Sequence, residues 1–243
     1  MRVRYFAWMK RTVGVPEEEV DPPADVATVG DLVKWLRARS AGHAEALAEG
    51  AAFGAAVDQR TATFDARLSG ARKWRSFPRS PVDDVMTVRV QEQDFDVGAE
   101  LDRLTAGNKR IGGLAVFVGL VREMHVREGY HRDRVDALTL EHYPGMTEKA
   151  LEEIETEARR RWPLEATLIV HRYGRMETGN RIVLVAVGSP HREAAFEACE
   201  FLVDWLKTKA PFWKLEETPA GEKWVGAHQG DDAAAARWEK KKA

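Results

Sequence analysis

The stretch Leu206-Lys207-Thr208-Lys209-Ala210-Pro211-Phe212-Trp213-Lys214-Leu215-Glu216 constrains the fold more than any other. An apolar helix runs into it and Pro211 stops that helix, because proline has no amide to donate and restricts the residue before it. Phe212 to Glu216 then alternates, which predicts a strand with Phe212, Lys214 and Glu216 on one face and Trp213 and Leu215 on the other. A helix must therefore hand over directly to a strand, with Lys207 on its last turn and Lys214 on the strand that follows. Two ammonium groups on rigid elements, hemmed by Trp, Phe and Pro, form a candidate desolvated cationic site. Desolvation lowers a lysine's pKa toward the range of a base or nucleophile. The competing reading is that helix-end lysines complement the helix dipole and stay in water.

Composition narrows the classes of function. The chain of 243 residues has room for one large or two ordinary domains, and its 44% hydrophobic and 31% charged residues are globular values. With 37 basic residues against 39 acidic ones the net charge is −2, which argues against a general nucleic-acid or membrane-surface binder. Cys199 is the one cysteine, so no intramolecular disulfide and no cysteine-based zinc site can form. It lies within an apolar helical run and is expected to be a buried structural thiol. Neither a signal-peptide core nor a membrane-length apolar run is present, so the expected location is the cytoplasm.

In chain order, residues 2–8 alternate basic with apolar and predict a strand, followed by a turn at Gly14 and a second strand near Glu19-Val20. Thr28 and Asp31 form a capping-box-like pair opening a helix with Val29, Leu32, Val33 and Leu36 inward, which frays by Gly42. Ala55-Ala56-Val57 and Arg72–Phe77 supply two more short strands. That order is the order of a small α+β roll of the ubiquitin kind. Pro78-Arg79-Ser80-Pro81 is a stiff joint, which places a boundary between residues 1–81 and 82–243.

The second part is expected to begin with a strand at Met86–Gln91 and a helix from Val97 to Thr105. Gly112–Gly119 is almost continuously apolar, which predicts a strand covered on both faces. A polar loop from Glu123 to Arg134 precedes a strand at Val135–Tyr143 and a helix with Met146, Ala150, Leu151, Ile154 and Ala158 inward. Strands at Ala166–Tyr173 and Arg181–Gly188 flank a turn, and Ser189-Pro190-His191-Arg192 opens the long helix that delivers Lys207. Ser189 suits the N-cap and Pro190 the first helical position, leaving His191 and Arg192 beside free amides, a candidate site for phosphate or carboxylate. A capped helix with solvated polar residues is the plainer alternative. Arg192 and Lys207 stand 15 residues apart on this helix, roughly 22 Å along its axis. They cannot share one small-molecule pocket within a single chain, so a common site requires a homodimer.

Phe117–Arg122, Leu140–Met146, Ser189–Arg192 and Leu206–Lys214 together resemble the large, catalytic subunit of molybdopterin synthase. The resemblance runs from about residue 86 to the Ala-Ala-Ala-Arg-Trp tail at 234–238, and residues 1–81 resemble the small, ubiquitin-like sulfur-carrier subunit more weakly. It implies an α+β chain, a β-grasp (ubiquitin-like) domain followed by an α/β hammerhead-type catalytic domain. The implied activity is sulfur transfer from a thiocarboxylated carrier protein to cyclic pyranopterin monophosphate, forming the dithiolene of molybdopterin, with no cofactor and no metal. It further implies that Lys207 and Lys214 are catalytic, that Arg122 lies in the same pocket, and that His191 and Arg192 bind phosphate from the neighbouring subunit. His228 stands where the family often has a basic substrate-binding residue. Such a carrier ends in Gly-Gly; here the corresponding stretch reads Phe77-Pro78-Arg79-Ser80-Pro81-Val82, so a separate carrier is expected to act in trans. A non-catalytic scaffold that docks carriers or sulfurtransferases is the alternative from another class. A nucleic-acid-binding β-grasp protein is disfavoured by the charge balance. Metal binding through His125, Glu128 and His131 is disfavoured against a solvated basic loop.

Overall fold

The computed structural model of the chain describes residues 1–48, 53–58, 60–68, 87–126, 132–225 and 234–238. The chain divides into two compact units, Met1–Ser80 and Pro81–Ala243.

In the first unit β1 (Arg2–Arg4) leads to α1 (Trp8–Val13) and β2 (Glu17–Glu19). β1 and β2 pair antiparallel with Arg2 opposite Glu19, Val3 opposite Glu18 and Arg4 opposite Glu17, so the two outer cross-strand pairs carry opposite charges. The strand expected over residues 2–8 stops at Arg4. Ala7 adopts φ 53°, which turns the chain into α1, and Gly14 at φ 92° closes that helix with its amide on the Lys10 carbonyl. α2 (Val29–Arg37) carries the expected capping box: the Thr28 hydroxyl accepts from the Asp31 amide and the Asp31 carboxylate accepts from the Thr28 amide. Leu32 and Leu36 from α2 pack with Val20 and Leu47 in a small core.

Gly42 lies inside a second helix, α3 (Ala41–Ala46), capped by Ser40. A Cβ there would collide with the Thr12 carbonyl oxygen at the end of α1, so this glycine marks a close helix approach. β3 (Ala55–Val57) and β4 (Arg60–Ala62) form a separate hairpin. Among the described residues the unit thus holds helices and two two-stranded ladders, and the expected strand Arg72–Phe77 and joint at 78–81 lie outside those residues.

Glu18 ties this unit together. Tyr5 and His43 both donate to its carboxylate at 2.7 Å, and Arg39 stands 3.1 Å away. Burial would raise the Glu18 pKa, but the hydrogen bonds from His43 and Tyr5 and the Arg39 charge outweigh it and hold the group below the usual carboxylate range.

Among its described residues the second unit has two four-stranded sheets. Its elements are β5 (Val88–Gln91), α4 (Val97–Thr105), β6 (Gly113–Leu120), β7 (Met124–Val126), β8 (Arg132–Arg134), β9 (Ala137–His142), α5 (Met146–Arg161), β10 (Ala166–Arg172), β11 (Gly174–Glu177), β12 (Arg181–Ser189), α6 (Arg192–Lys209), β13 (Phe212–Thr218) and β14 (Gly221–Val225). The first sheet runs β5-β10-β12-β6, with β5 parallel to β10 and the other pairs antiparallel. The second runs β11-β9-β13-β14, antiparallel throughout, and β7 and β8 make a small ladder of their own.

The first sheet is covered on both sides at its centre. On one face α5 and α6 bring Leu151, Ile154, Ala158, Ala198 and Leu202 onto Ile169, Val185 and Val187. On the other, Leu104 of α4 joins Phe95, Leu168, Val170, Leu184 and Ala186. This explains the uninterrupted apolar runs of β10 and β12. β6 is different. It was expected to be covered on both faces, yet it forms the sheet's edge, leaving Leu114, Val116, Phe117 and Leu120 at 36, 40, 36 and 51% exposure.

A helical turn at 234–238 packs Trp238 into the α5–α6 core, where its indole donates to Asp204 and its carbonyl accepts from Arg161. No helix among the described residues is long and apolar enough to cross a membrane.

Replacing Glu18 with Gln is expected to destabilise the first unit by about 1–3 kcal/mol at pH 7, since His43 and Arg39 lose their charged acceptor. The Glu18 pKa is depressed by folding, so its contribution is present above the unfolded carboxylate pKa and disappears as pH falls through the folded one. Native-state hydrogen exchange of the α2 amides should show the wild type and Glu18→Gln converging below about pH 4.

Candidate functional site

The helix-to-strand joint is built as a fixed corner. α6 ends at Lys209, and Ala210 turns extended at φ −83° and ψ 127° to meet Pro211. The Phe212 amide donates back to the Ala210 carbonyl at 2.9 Å, and the buried Thr147 hydroxyl donates to the Pro211 carbonyl at 3.3 Å. Thr147 also accepts from the Tyr143 amide at 3.2 Å, so the start of α5 is stapled to the corner. β13 then runs between β9 and β14, with Phe212 opposite His142 and Lys214 opposite Leu140 and Val225. Leu215 and Glu216, on opposite faces of the strand, are both buried.

Lys214 is half-buried on β13 and Lys207 is exposed near the end of α6. Within the single chain, then, Lys214 is partly removed from water and Lys207 is not. A site that dehydrates Lys207 needs covering groups beyond those described.

Two histidines missing from the sequence-based set of site residues stand behind this corner. His171, at the end of β10, is buried, and its imidazole lies flat on the Phe212 ring with centroids 3.8 Å apart and planes 19° from parallel. Its Nδ1–H donates to the Arg172 carbonyl at 2.8 Å. Burial pushes its pKa down to about 4; that hydrogen bond opposes the shift, and the charges of Lys214 and His142 add to it. His142, opposite Phe212 on β9, packs against Tyr173 at 4.4 Å. Burial lowers its pKa too, opposed by Glu148, whose carboxylate is 3.7 Å from Nε2. The signal available in the sequence was a lone histidine at an inward position of an apolar strand, Leu168-Ile169-Val170-His171.

Arg122 follows the end of β6 and is exposed. Its position is set by Val121, which is buried and exchanges backbone hydrogen bonds with the 177–180 turn through Asn180 and Gly179. His191 and Arg192 are exposed at the other end of α6. The helix begins two residues later than the sequence suggested: His191 is the N-cap and Arg192 the first helical residue. Ser189 is still in β12, paired with Gly113, and its hydroxyl donates to the Pro163 carbonyl, so the ladder takes the residue that would have capped the helix. A Cβ at Gly112 would collide with the Pro190 carbonyl oxygen and one at Gly113 would press on the Arg192 Cα, so the paired glycines let the start of α6 sit against the start of β6. His228, His131 and Glu128 lie outside the described residues.

The topology divides these groups between two ends of the first sheet. β12 arrives at the Gly113 end of β6, and α6 starts there and returns across the sheet. Arg122 is thus at the same end as Lys207, while His191 and Arg192 stay at the opposite end, roughly 22 Å from Lys207 along the helix.

The first sheet is thus backed by two helices on one face, with Arg122, His191, Arg192 and Lys207 exposed at its margins. The MoaE protein family pattern matches residues 90–209. A Ralstonia nicotianae protein described as molybdopterin synthase catalytic subunit is 51% identical over 152 residues, covering 63% of this chain and 84% of its own length. One of the same description from Pseudomonas aeruginosa is 52% identical over 154 residues, covering 63% and 99%. The solved MoaE protein from Burkholderia ambifaria superposes with a TM-score of 0.54 at 54% identity, covering 64% of this chain and 99% of that one. The chain belongs to the MoaE protein family.

The neutral, buried state of His171 makes the stability of the second unit depend on pH. Its folded pKa lies near 4 against an ordinary value of 6.5, so its contribution is full above 6.5 and is lost as pH falls toward 4. The loss should approach about 3 kcal/mol. Urea unfolding between pH 7 and pH 4 is expected to show this decline in the wild type and a flatter one in His171→Phe.

Proposed function

We propose that this chain is the catalytic subunit of a molybdopterin synthase, an enzyme of molybdenum cofactor biosynthesis that transfers sulfur to cyclic pyranopterin monophosphate. The observation that carries this reading is family membership over the unit that holds the Lys207–Lys214 corner. The site chemistry agrees with it. A phosphorylated pterin needs fixed cations, and arginine supplies permanently charged, bidentate contacts. Acyl transfer from a thiocarboxylate and departure of oxygen from the pterin need proton transfer and charge stabilisation, which lysines on rigid elements provide. Lys207 takes the role of general base or transient acyl partner and Lys214 that of electrostatic and hydrogen-bonding partner, with Arg122 beside them. His191, Arg192 and His228 bind the substrate. The work is cytoplasmic.

The sulfur donor is a separate ubiquitin-like carrier acting in trans. The first unit, a carrier-like β-grasp domain in this reading, ends at the joint with no Gly-Gly. A thiocarboxylate requires a free C-terminal carboxyl, whereas this peptide runs on through Pro78 and Pro81.

The site is completed by a second copy of the chain. β6 offers an open edge with exposed apolar side chains, and His191–Arg192 and Arg122 lie at its two ends. If two β6 strands pair antiparallel across a two-fold axis, each chain's Gly113 end meets the other's Leu120 end. The arrangement sets His191 and Arg192 of one copy beside Arg122 and Lys207 of the other. It joins the two halves that a single α6 holds apart.

Purified chain, pterin precursor and an added thiocarboxylated carrier are expected to form molybdopterin, and omission of the carrier to abolish it. Lys207→Ala should lose conversion without unfolding; a fully active Lys207→Ala would remove the lysine's role. Arg192→Ala and Lys207→Ala chains, each inactive alone, should regain roughly a quarter of wild-type activity when co-assembled, because half the dimers then carry one intact site of two. No recovery in verified mixed dimers would rule out the shared site.

A further inference from the structure

We propose that His171 is a positioning residue for Lys214: by carrying the Phe212 ring on its own ring, it fixes the first residue of β13 and with it the direction of the lysine two residues on. This rests on the catalytic reading of Lys214 given above. Same-face neighbours on a strand stand only about 7 Å apart, so a tilt at Phe212 is passed directly to Lys214.

His171 suits this task because it cannot move. β10 lies inside the first sheet, bonded to β5 on one side and β12 on the other. The ring is held against rotation by its Nδ1–H bond to the Arg172 carbonyl at 2.8 Å and against tilting by the flat stack at 3.8 Å. His142 also lies near the Phe212 ring, with centroids 6.3 Å apart. Phe212 belongs to the second sheet and His171 to the first, so the stack is where the lysine-bearing strand takes its reference from the rigid centre of the unit.

Histidine does here what no apolar residue and no short amide can do alone. Phenylalanine would keep the stack and lose the donor to the carbonyl; asparagine would keep a donor and lose the stack. Burial above all keeps the imidazole neutral; Lys214 from β13 and His142 from β9 act in the same direction, the bond to the Arg172 carbonyl opposes them, and Glu148 from α5 faces His142. A neutral ring adds no further positive charge beside Lys214.

A double-mutant cycle on steady-state molybdopterin formation, using the full chain with added carrier, tests this. His171→Ala is expected to lower kcat about 10–100-fold, the scale of a misplaced catalytic group, with KM for the pterin precursor within about threefold. On the residual rate of Lys214→Ala the same substitution should have less than about a twofold effect, because the lysine through which it acts is gone. A double variant whose losses multiply, or a raised KM at unchanged kcat, would overturn the proposal. Should His171→Ala fail to fold by circular dichroism, His171→Phe and His171→Asn replace it. The ring-keeping Phe variant is expected to have the higher kcat, and the reverse order overturns the proposal. The parent readings fail separately: a wild type that makes no product removes the function, and a fully active Lys214→Ala removes the lysine's role.

Discussion

The contact of Phe212 with His171 joins two sheets that share no strand. The first sheet is held by apolar cover on both faces, and β10 at its centre has nowhere to go. The second has a far smaller core of Val121, Leu140 and Met176, so its strands need an external reference if a side chain on them is to be aimed. The stack and the Thr147–Pro211 hydrogen bond supply that reference at one point, the start of β13. Stacking adds only about 0.5–1.5 kcal/mol beyond area burial. Its importance lies in geometry.

The helix side of the corner is anchored by different means. Arg161, at the end of α5, lies over the rings of Phe201 and Trp205, is paired with Glu157, and donates to the Trp238 carbonyl. Trp238 in turn donates to Asp204 on α6, one turn before Lys207 and Thr208, and Arg237 pairs with the same carboxylate. The helical turn at 234–238 thus clasps the last turns of α6. The Arg161 Nη2 and the Trp205 indole nitrogen are both buried without a hydrogen-bond acceptor among the described residues, and the cation–ring contacts partly offset that cost for Arg161. So the two lysines are carried by elements fixed independently, one through an aromatic stack and the other through an arginine clasp.

Much of this was legible in the chain. The helix at Val97–Thr105, the Thr28–Asp31 cap and the handover at Pro211 each follow from a local rule, and each stands where the rule puts it. What the sequence hid was decided by partners far away along the chain. Ser189 reads as a helix cap until the β12–β6 ladder claims it. Gly42 reads as a fraying end until α1 approaches it. β11 and β14 are short and take their form from pairing with β9 and β13. His171 gave no signal beyond one polar residue in an apolar run, because the ring that makes it useful belongs to a strand some 40 residues later.

β6 carries the same lesson with a functional consequence. Its Gly-Leu-Ala-Val-Phe-Val-Gly-Leu sequence has the composition of a buried central strand, yet within one chain it is an edge. An eight-residue apolar edge with no proline and no charge is a template for further pairing, the feature monomeric sheets avoid. Proteins blunt such edges or use them. Here the edge is bounded at one end by the His191–Arg192 corner, packed tight through Gly112 and Gly113, and at the other by Arg122. A substrate with a phosphate at one end and reacting carbons at the other needs cations in two places within one cavity. A single α6 holds its own Arg192 and Lys207 too far apart for that, and the proposed antiparallel partner on β6 would remove the separation without bending the helix. In the proposed dimer the exposed apolar strand and the split cation set would be one feature, both completed by the same second chain.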